Sequence, residues 1–134
     1  MPNDIDVTSL VAHLPEEECN ALATAFIEVW SEPTDSTTNL DPLAPIFDLE
    51  KDDPDMLMDL IIEVLRRKPS KRVLNMLAVG PLATFLIKRG ESLFVLVEKQ
   101  AEVDPVFREL LSKSRLDALN DATRQSILEL LKST

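Results

Sequence analysis

The stretch NMLAVGPLATFLIKRGESLF, residues 75–94, decides the fold of this chain. It contains the two glycines of the 134-residue sequence, Gly80 and Gly90, in its most apolar region. Because glycine adopts a positive φ at little cost, it commonly follows the last residue of a helix. We expect Gly80 to end one helix, Pro81 to begin the next, and Gly90 to end that second helix. The stretch therefore predicts short helices connected by tight turns.

Helical periodicity continues on both sides of this stretch. Apolar residues recur at steps of three and four, and aspartate precedes proline at 53–54 and 104–105, where aspartate caps a helix and proline begins it. The segment LFVLV, residues 93–97, is also compatible with a strand, but the helical pattern continues to Ala101, so we predict a helix. The predicted helices lie near residues 15–31, 54–68, 70–79, 81–89, 91–103, 105–111 and 121–131, with a shorter one between residues 43 and 49.

The connections between these predicted helices are short, which makes neighbouring helices pack roughly antiparallel. We therefore predict an all-α fold, an irregular stack of short antiparallel helix hairpins in a right-handed, HEAT- or armadillo-like arrangement. No repeat is visible at the level of residues. The length suits a single domain over residues 1–134, in which residues 1–14 and 33–40 are expected to form partly mobile loops.

The composition argues against membrane and secreted classes of protein. No apolar run reaches the roughly 18 residues that a membrane span requires. The N-terminus, MPNDIDVTSLV, is acidic, whereas a signal peptide begins with basic residues. The single cysteine, Cys19, cannot form an internal disulfide. We expect a cytoplasmic protein that does not bind a membrane.

Charge is distributed unevenly along the chain. Residues 1–59 carry a net charge of −14, whereas residues 60–134 carry +4. Such an asymmetry is typical of a surface that binds a partner, and the alternative is that the acidic half folds against the basic half. The total of −10 repels nucleic acid, so we expect no nucleic-acid partner.

The sequence offers little for catalysis or for cofactor binding. The single histidine, His13, precedes the first predicted helix and is expected to be an ordinary surface residue, and one histidine with one cysteine does not make a zinc site. The acidic run DLEKDDPD, residues 48–55, lacks the central glycine of a calcium loop. Glycines at positions 80 and 90 alone exclude a GxGxxG motif and a P-loop. We therefore predict no catalytic, cofactor-binding or metal-binding residue, no cofactor, and no enzymatic activity.

Charged residues at both ends of the predicted helix 54–68 are the candidates for binding. Three aspartates lie at or just before its start, and arginines lie at its end or soon after it. The basic group is suited to hold an anion or an acidic segment of a partner. Alternatively, it stabilises the negative end of the helix dipole and balances the acidic half. The candidate partner-binding residues are Asp52, Asp53, Asp55, Arg66, Arg67 and Arg72.

From about residue 49 to residue 131, the chain resembles a bacterial family of uncharacterised helical domains. The residues that carry the resemblance are the Asp-Pro pair at 53–54, LRRKPS at 65–70, GPL at 80–82 and DPVFRELL at 104–111. The family has no assigned activity. The resemblance therefore implies a helical fold and does not indicate an enzyme.

These observations favour a small cytoplasmic protein that works by binding another protein. One version is an immunity or antitoxin-like role, in which an acidic surface blocks a basic toxin. The alternative is a small-ligand-binding protein or an enzyme with a pocket of arginine and carboxylate residues between helices. A concave pocket that holds Arg66 or Arg72 beside a buried carboxylate would favour this alternative. A homodimer formed through an exposed leucine face is a third hypothesis.

Overall fold

The computed structural model describes residues 13–132, and this part of the chain is helical without a β-strand. The prediction of an all-α fold is therefore confirmed for the described residues. Short 3₁₀ turns at Asp41–Leu43, Pro54–Met56 and Leu116–Ala118 connect some of the helices. The α-helices are α1 (Glu16–Trp30), α2 (Ala44–Asp52), α3 (Leu57–Arg66), α4 (Lys71–Leu77), α5 (Ala83–Arg89), α6 (Phe94–Val103), α7 (Pro105–Lys113) and α8 (Asp121–Lys132).

A π-helical turn at Ala78–Leu82 joins α4 to α5 without a break. This finding corrects the prediction for Gly80, because the residue lies inside a continuous helical segment and no glycine here has a positive φ. Pro81 is also inside the segment, where a proline in α-geometry would clash with the carbonyl group four residues earlier. The wider turn accommodates the ring, and the Ala83 N–H bonds to the carbonyl oxygen of Ala78, five residues back.

Gly90 does follow the last residue of a helix, as the sequence predicts, but for a different physical reason. Its φ is −59°, which any residue adopts. A Cβ atom at this position would collide with the carbonyl oxygen of Leu86 and would lie 2.9 Å from Cγ2 of Thr123. Because Thr123 belongs to α8, Gly90 lets the last helix approach the end of α5 closely.

The two Asp-Pro pairs differ in how they begin a helix. The carboxylate of Asp104 accepts hydrogen bonds from the N–H groups of Val106 at 2.9 Å and Phe107 at 3.3 Å, as expected of a cap. Asp53 makes no such bond, because a 3₁₀ turn separates it from α3. The predicted cap at Asp53 is therefore wrong, whereas the cap at Asp104 is confirmed.

The core lies between α1, α3 and the segment from α4 to α5, with α7 against the other side of that segment. Helix α1 packs on α3, and α7 contacts α4, the π-helical turn, α6 and α8. Phe85 and Phe107 are completely buried, and burying one such side chain contributes about 1.5–3 kcal/mol. If the continuous segment from α4 to α5 is counted as one helix, the described part of the chain contains seven helices. The right-handed HEAT- or armadillo-like arrangement stays a prediction.

The predicted loop at residues 33–40 contains no helix. Its backbone is organised by Asp35, whose carboxylate accepts a hydrogen bond from the N–H of Thr37 at 2.8 Å. Of the predicted loop at residues 1–14, residues 1–12 lie outside the described residues, and residues 13 and 14 are not helical. Within residues 13–132, no helix has the length and apolar character needed to cross a lipid bilayer.

Candidate functional site

A groove of about 560 Å³ lies where the segment before α1 meets α3. We call it the polar groove. Helix α1 contributes the side of the groove near its start, and α3 contributes a row of charged side chains spaced by three and four residues. Its polar and charged lining residues are His13, Glu16, Cys19, Asn20, Asp59, Glu63 and Arg66.

Asp59 is the centre of the hydrogen bonds in the polar groove. Its carboxylate lies 2.9 Å from Nδ1 of His13 and accepts a hydrogen bond from the N–H of Leu14 at 2.9 Å. The thiol of Cys19 donates to the carbonyl oxygen of Asp59 at 3.5 Å. The residues around His13 in the sequence do not indicate a carboxylate beside it, because Asp59 is 46 residues away along the chain. These contacts fasten the segment before α1 to α3.

Cys19 is not an activated nucleophile. Burial raises the pKa of its thiol above the ordinary value, and the nearby carboxylates of Asp59 and Glu63 raise it further. The thiol therefore stays protonated at neutral pH, and a protonated thiol is a poor nucleophile and a poor metal ligand. Among residues 13–132, no group of three or more His, Cys, Asp or Glu side chains is arranged to hold a metal ion.

Glu63 holds the two arginines at the end of α3. It pairs with Nη1 of Arg66 at 3.1 Å and with Nε of Arg67 at 3.0 Å. Arg67 also donates to Oγ1 of Thr24 at 2.6 Å and to the carbonyl oxygen of Asn20 at 3.2 Å, so it connects α3 to α1. The side chain of Arg66 is 72% exposed and faces solvent at the rim of the groove. Arg67 is thus a structural residue, and Arg66 is the accessible one.

The structure does not bring the six candidate partner-binding residues together. The aspartates lie before α3 and Arg66 and Arg67 lie at its other end, and a helix of ten residues is about 15 Å long. Asp55 forms an ion pair with Arg89 at 2.6 Å, so its carboxylate is already engaged. Arg72 is exposed at the start of α4 and makes no ion pair among the described residues.

The basic end of α5 contacts the acidic segment at the end of α2. In addition to the pair of Arg89 with Asp55, Nζ of Lys88 donates to the carbonyl oxygen of Glu50. Lysine is suited to this position because the last carbonyl groups of a helix lack partners within the helix. The acidic and basic halves of the chain therefore do meet, but only one aspartate side chain of this segment is neutralised there.

Three carboxylates on α2 and just after it stay exposed. They belong to Asp48, Asp52 and Asp53, and within residues 13–132 none of them forms an ion pair. We call these three residues the acidic edge. Asp52 and Asp53 were candidates from the sequence, and Asp48 joins them because it lies one helical turn before Asp52.

A small apolar crevice is lined in part by residues of α2, the helix that also carries Asp48 and Asp52. Its volume is about 120 Å³, and α1, α2 and the π-helical turn form its walls. Sequence analysis missed it, because the π-helical turn that forms one wall was predicted to be a break between helices. We call it the apolar crevice, and its lining residues are Phe26, Trp30, Leu43, Ile46, Phe47, Glu50, Met76, Gly80 and Pro81.

Glu50 is the charged residue in the lining of the apolar crevice. Burial raises the pKa of its carboxyl group above the ordinary value, and the positive charge of Lys88 opposes this effect only in part. An additional positive charge close to this carboxylate would therefore stabilise its ionised form.

A comparison with known protein families matches residues 43–131 with a family of unknown function (DUF6869). This match confirms the resemblance to an uncharacterised helical domain. Separate comparisons with curated proteins and with solved structures find no match.

Proposed function

The chain belongs to this family of unknown function, and we propose that it is a non-enzymatic module that binds a basic segment of another protein. The observation that carries the proposal is the acidic edge. Asp48, Asp52 and Asp53 are exposed and make no ion pair within residues 13–132, although basic side chains of α5 lie close by. Unpaired carboxylates of one sign attract a partner of opposite charge and speed the encounter.

The chemistry of the polar groove supports a role without catalysis. The thiol of Cys19 has a raised pKa, and the carboxylate of Asp59 holds His13 and the N–H of Leu14. These contacts of Asp59 and Cys19 fasten the segment before α1, and α1 itself, to α3. One form of the proposed function is an immunity or antitoxin-like role, in which the acidic edge covers a basic site of a toxin.

The proposal is tested by affinity capture from lysate of the cells that make the protein. The test variant carries Asp48→Asn, Asp52→Asn and Asp53→Asn. The matched control carries Glu91→Gln, Glu98→Gln and Glu102→Gln, which remove the same charge from exposed positions around α6. We expect a partner with a basic surface that the wild type and the control retain and the test variant loses. Equal retention by all three proteins, or capture of no partner, would contradict the proposal.

The polar groove supports a second candidate function, the binding of a small anionic ligand. Arg66 lies there beside Glu63 and Asp59, which are partly buried, whereas the sequence hypothesis required a buried carboxylate. The test is a titration of the isotope-labelled protein with small carboxylates and phosphates, followed by NMR. Saturable shifts of amide signals in the groove that disappear in Arg66→Ala would support this function. Absence of any saturable shift would contradict it.

A further inference from the structure

We infer that the apolar crevice binds one leucine-sized side chain of the partner, while basic residues on both sides of that side chain pair with Glu50 and with the acidic edge. The inference rests on the proposed function, because it names the place and the kind of segment through which the basic partner binds. The apolar crevice and the carboxylates make separate contributions to binding of the partner, so each contribution can be tested without the other.

The size and lining of the apolar crevice fit an aliphatic side chain. A cavity of roughly 150 Å³ lined by Leu, Ile and Phe accepts a benzene molecule. The volume of about 120 Å³ found here therefore accepts a side chain of the size of leucine. Trp30 and Phe47 are the aromatic walls, and the Phe47 side chain is 44% exposed, so an occupant would cover apolar surface that water now contacts.

Gly80 has no side chain, so only its backbone forms this part of the crevice wall. Its φ is not positive, and no atom lies within 4 Å of the position that a Cβ would occupy. A glycine inside a helical segment lowers helix stability relative to alanine. The next residue is Pro81, which crowds a Cβ on the residue before it and so favours glycine locally. Whatever its origin, the bare backbone at Gly80 keeps the crevice open.

Charge complementarity identifies the occupant as part of a basic segment. Helix α2 has nine residues and is about 14 Å long, so its carboxylates, which outnumber its one basic residue Lys51, are within reach of a short peptide anchored at Phe47. Glu50 lines the crevice itself, and Asp48, Asp52 and Asp53 are exposed on the same helix or directly after it. The residues that dominate binding at a protein interface fill well-packed, desolvated pockets, and the contacts around them exclude water.

The test uses three synthetic peptides of equal length and the isotope-labelled full chain, observed by NMR. The first peptide has a central leucine among arginines and lysines, the second replaces the leucine with alanine, and the third keeps the leucine but replaces the basic residues with glutamate. We expect the first peptide to bind saturably and to shift the amide signals of Phe47, Glu50, Met76 and Gly80. The second and third should bind roughly tenfold more weakly or not at all.

Two variants at exposed apolar positions provide the matched comparison. Phe47→Ala removes one wall of the crevice, and Ile87→Ala truncates a side chain that is 49% exposed on α5, outside the crevice. Because both side chains are largely at the surface, both variants are expected to fold. Phe47→Ala should weaken binding of the first peptide by roughly tenfold, whereas Ile87→Ala should leave it unchanged. Gly80→Ala narrows the crevice instead of widening it and should weaken binding as well.

The outcomes separate this inference from the proposed function. If the first two peptides bind equally and shift only the amides of the acidic edge, the crevice has no role, while the charge-based proposal stands. If the third peptide binds as well as the first, the proposal that the occupant of the crevice belongs to a basic segment is wrong. Shifts of crevice amides that depend on protein concentration without peptide would assign the crevice to a second copy of this chain and would overturn the inference. Absence of saturable binding by the first peptide would also overturn it.

Discussion

At the scale of single residues, the two glycines show what a sequence pattern can and cannot reveal. Both were predicted to end helices through a positive φ, and neither has one. A Cβ at Gly90 would collide with the carbonyl oxygen of Leu86, four residues earlier, and would lie 2.9 Å from Cγ2 of Thr123, which is 33 positions further along the chain. The sequence indicates where a helix ends, but it does not show that Thr123 lies close to Gly90 in the tertiary structure.

The first prediction compares alanine at the two glycine positions. Gly90→Ala places a methyl group against the carbonyl oxygen of Leu86 and against Thr123, and overpacking of this kind costs about 1–3 kcal/mol. Gly80→Ala meets no neighbour outside its own segment, so its free energy of unfolding should stay within about 1 kcal/mol of the wild-type value. Urea unfolding of both variants measures the difference. Equal losses in the free energy of unfolding for the two variants would show that the packing around Gly90 is not tight.

The second prediction concerns the pH dependence that Glu50 contributes. Burial raises the pKa of this carboxyl group in the folded state above its ordinary value of 4.5. The protonated form therefore favours folding below that ordinary value, and this contribution is lost as the pH rises through the folded-state pKa. Glu50→Gln should be more stable than the wild type near neutral pH, by less than about 1 kcal/mol because water still reaches the half-buried carboxylate.

Urea unfolding of the Glu50→Gln variant and of the wild type at several pH values checks this prediction. The stability difference between the two proteins should shrink as the pH falls below the ordinary glutamate pKa. Ile87→Ala, at an exposed position without a titratable group, is the control and should show no such trend. A difference between Glu50→Gln and the wild type that does not vary with pH would mean that the carboxylate is not desolvated.

The third prediction concerns the reactivity of Cys19. Since burial and two carboxylates raise the pKa of its thiol, the fraction of thiolate at neutral pH is lower than in a free cysteine. Alkylation of the folded protein should therefore be slower than alkylation of a short cysteine peptide, and urea should remove the difference. Alkylation as fast as that of the peptide, or faster, would indicate an activated thiol. It would contradict the proposal that this protein has no catalytic activity.

At the scale of secondary-structure elements, the sequence predicted most helices at the correct places. Apolar periodicity was sufficient for α1, α3, α7 and α8, and LFVLV is part of a helix as expected, since α6 covers Phe94–Val103. The error was the join between α4 and α5. Gly-Pro is a common end of one helix and start of the next, but the backbone hydrogen bonds of the π-helical turn, on which α3 and α7 pack, continue the helix through it.

The fourth prediction compares the two Asp-Pro helix starts. Asp104→Ala removes two hydrogen bonds to the N–H groups of α7 and should lower the free energy of unfolding by about 1 kcal/mol. Asp53→Ala removes no cap and should change the same quantity by less than about 0.5 kcal/mol. Chemical denaturation of both variants distinguishes the two positions, although their local sequences are alike. A larger loss at Asp53 would contradict the observed start of α3.

At the scale of the whole molecule, the all-α class and the uneven charge followed from the sequence, but the site did not. Contacts over more than 40 residues, such as those of Asp59 with His13 and of Arg67 with Asn20, depend on how α1 lies on α3. Of the six candidate residues, Asp55 and Arg67 are used to hold the fold together. Local spacing identifies charged groups, whereas the tertiary structure decides which of them stay available to a partner.

The most direct test of the central claim is the affinity of the captured partner for four forms of this protein, measured by titration calorimetry. These forms are the wild type, the acidic-edge variant with Asp48→Asn, Asp52→Asn and Asp53→Asn, Phe47→Ala, and Ile87→Ala. We expect the dissociation constant to rise for the acidic-edge variant and for Phe47→Ala, to stay unchanged for Ile87→Ala, and to rise with salt in the wild type more than in the acidic-edge variant. An unchanged constant for both the acidic-edge variant and Phe47→Ala would contradict the claim that this face binds a basic partner.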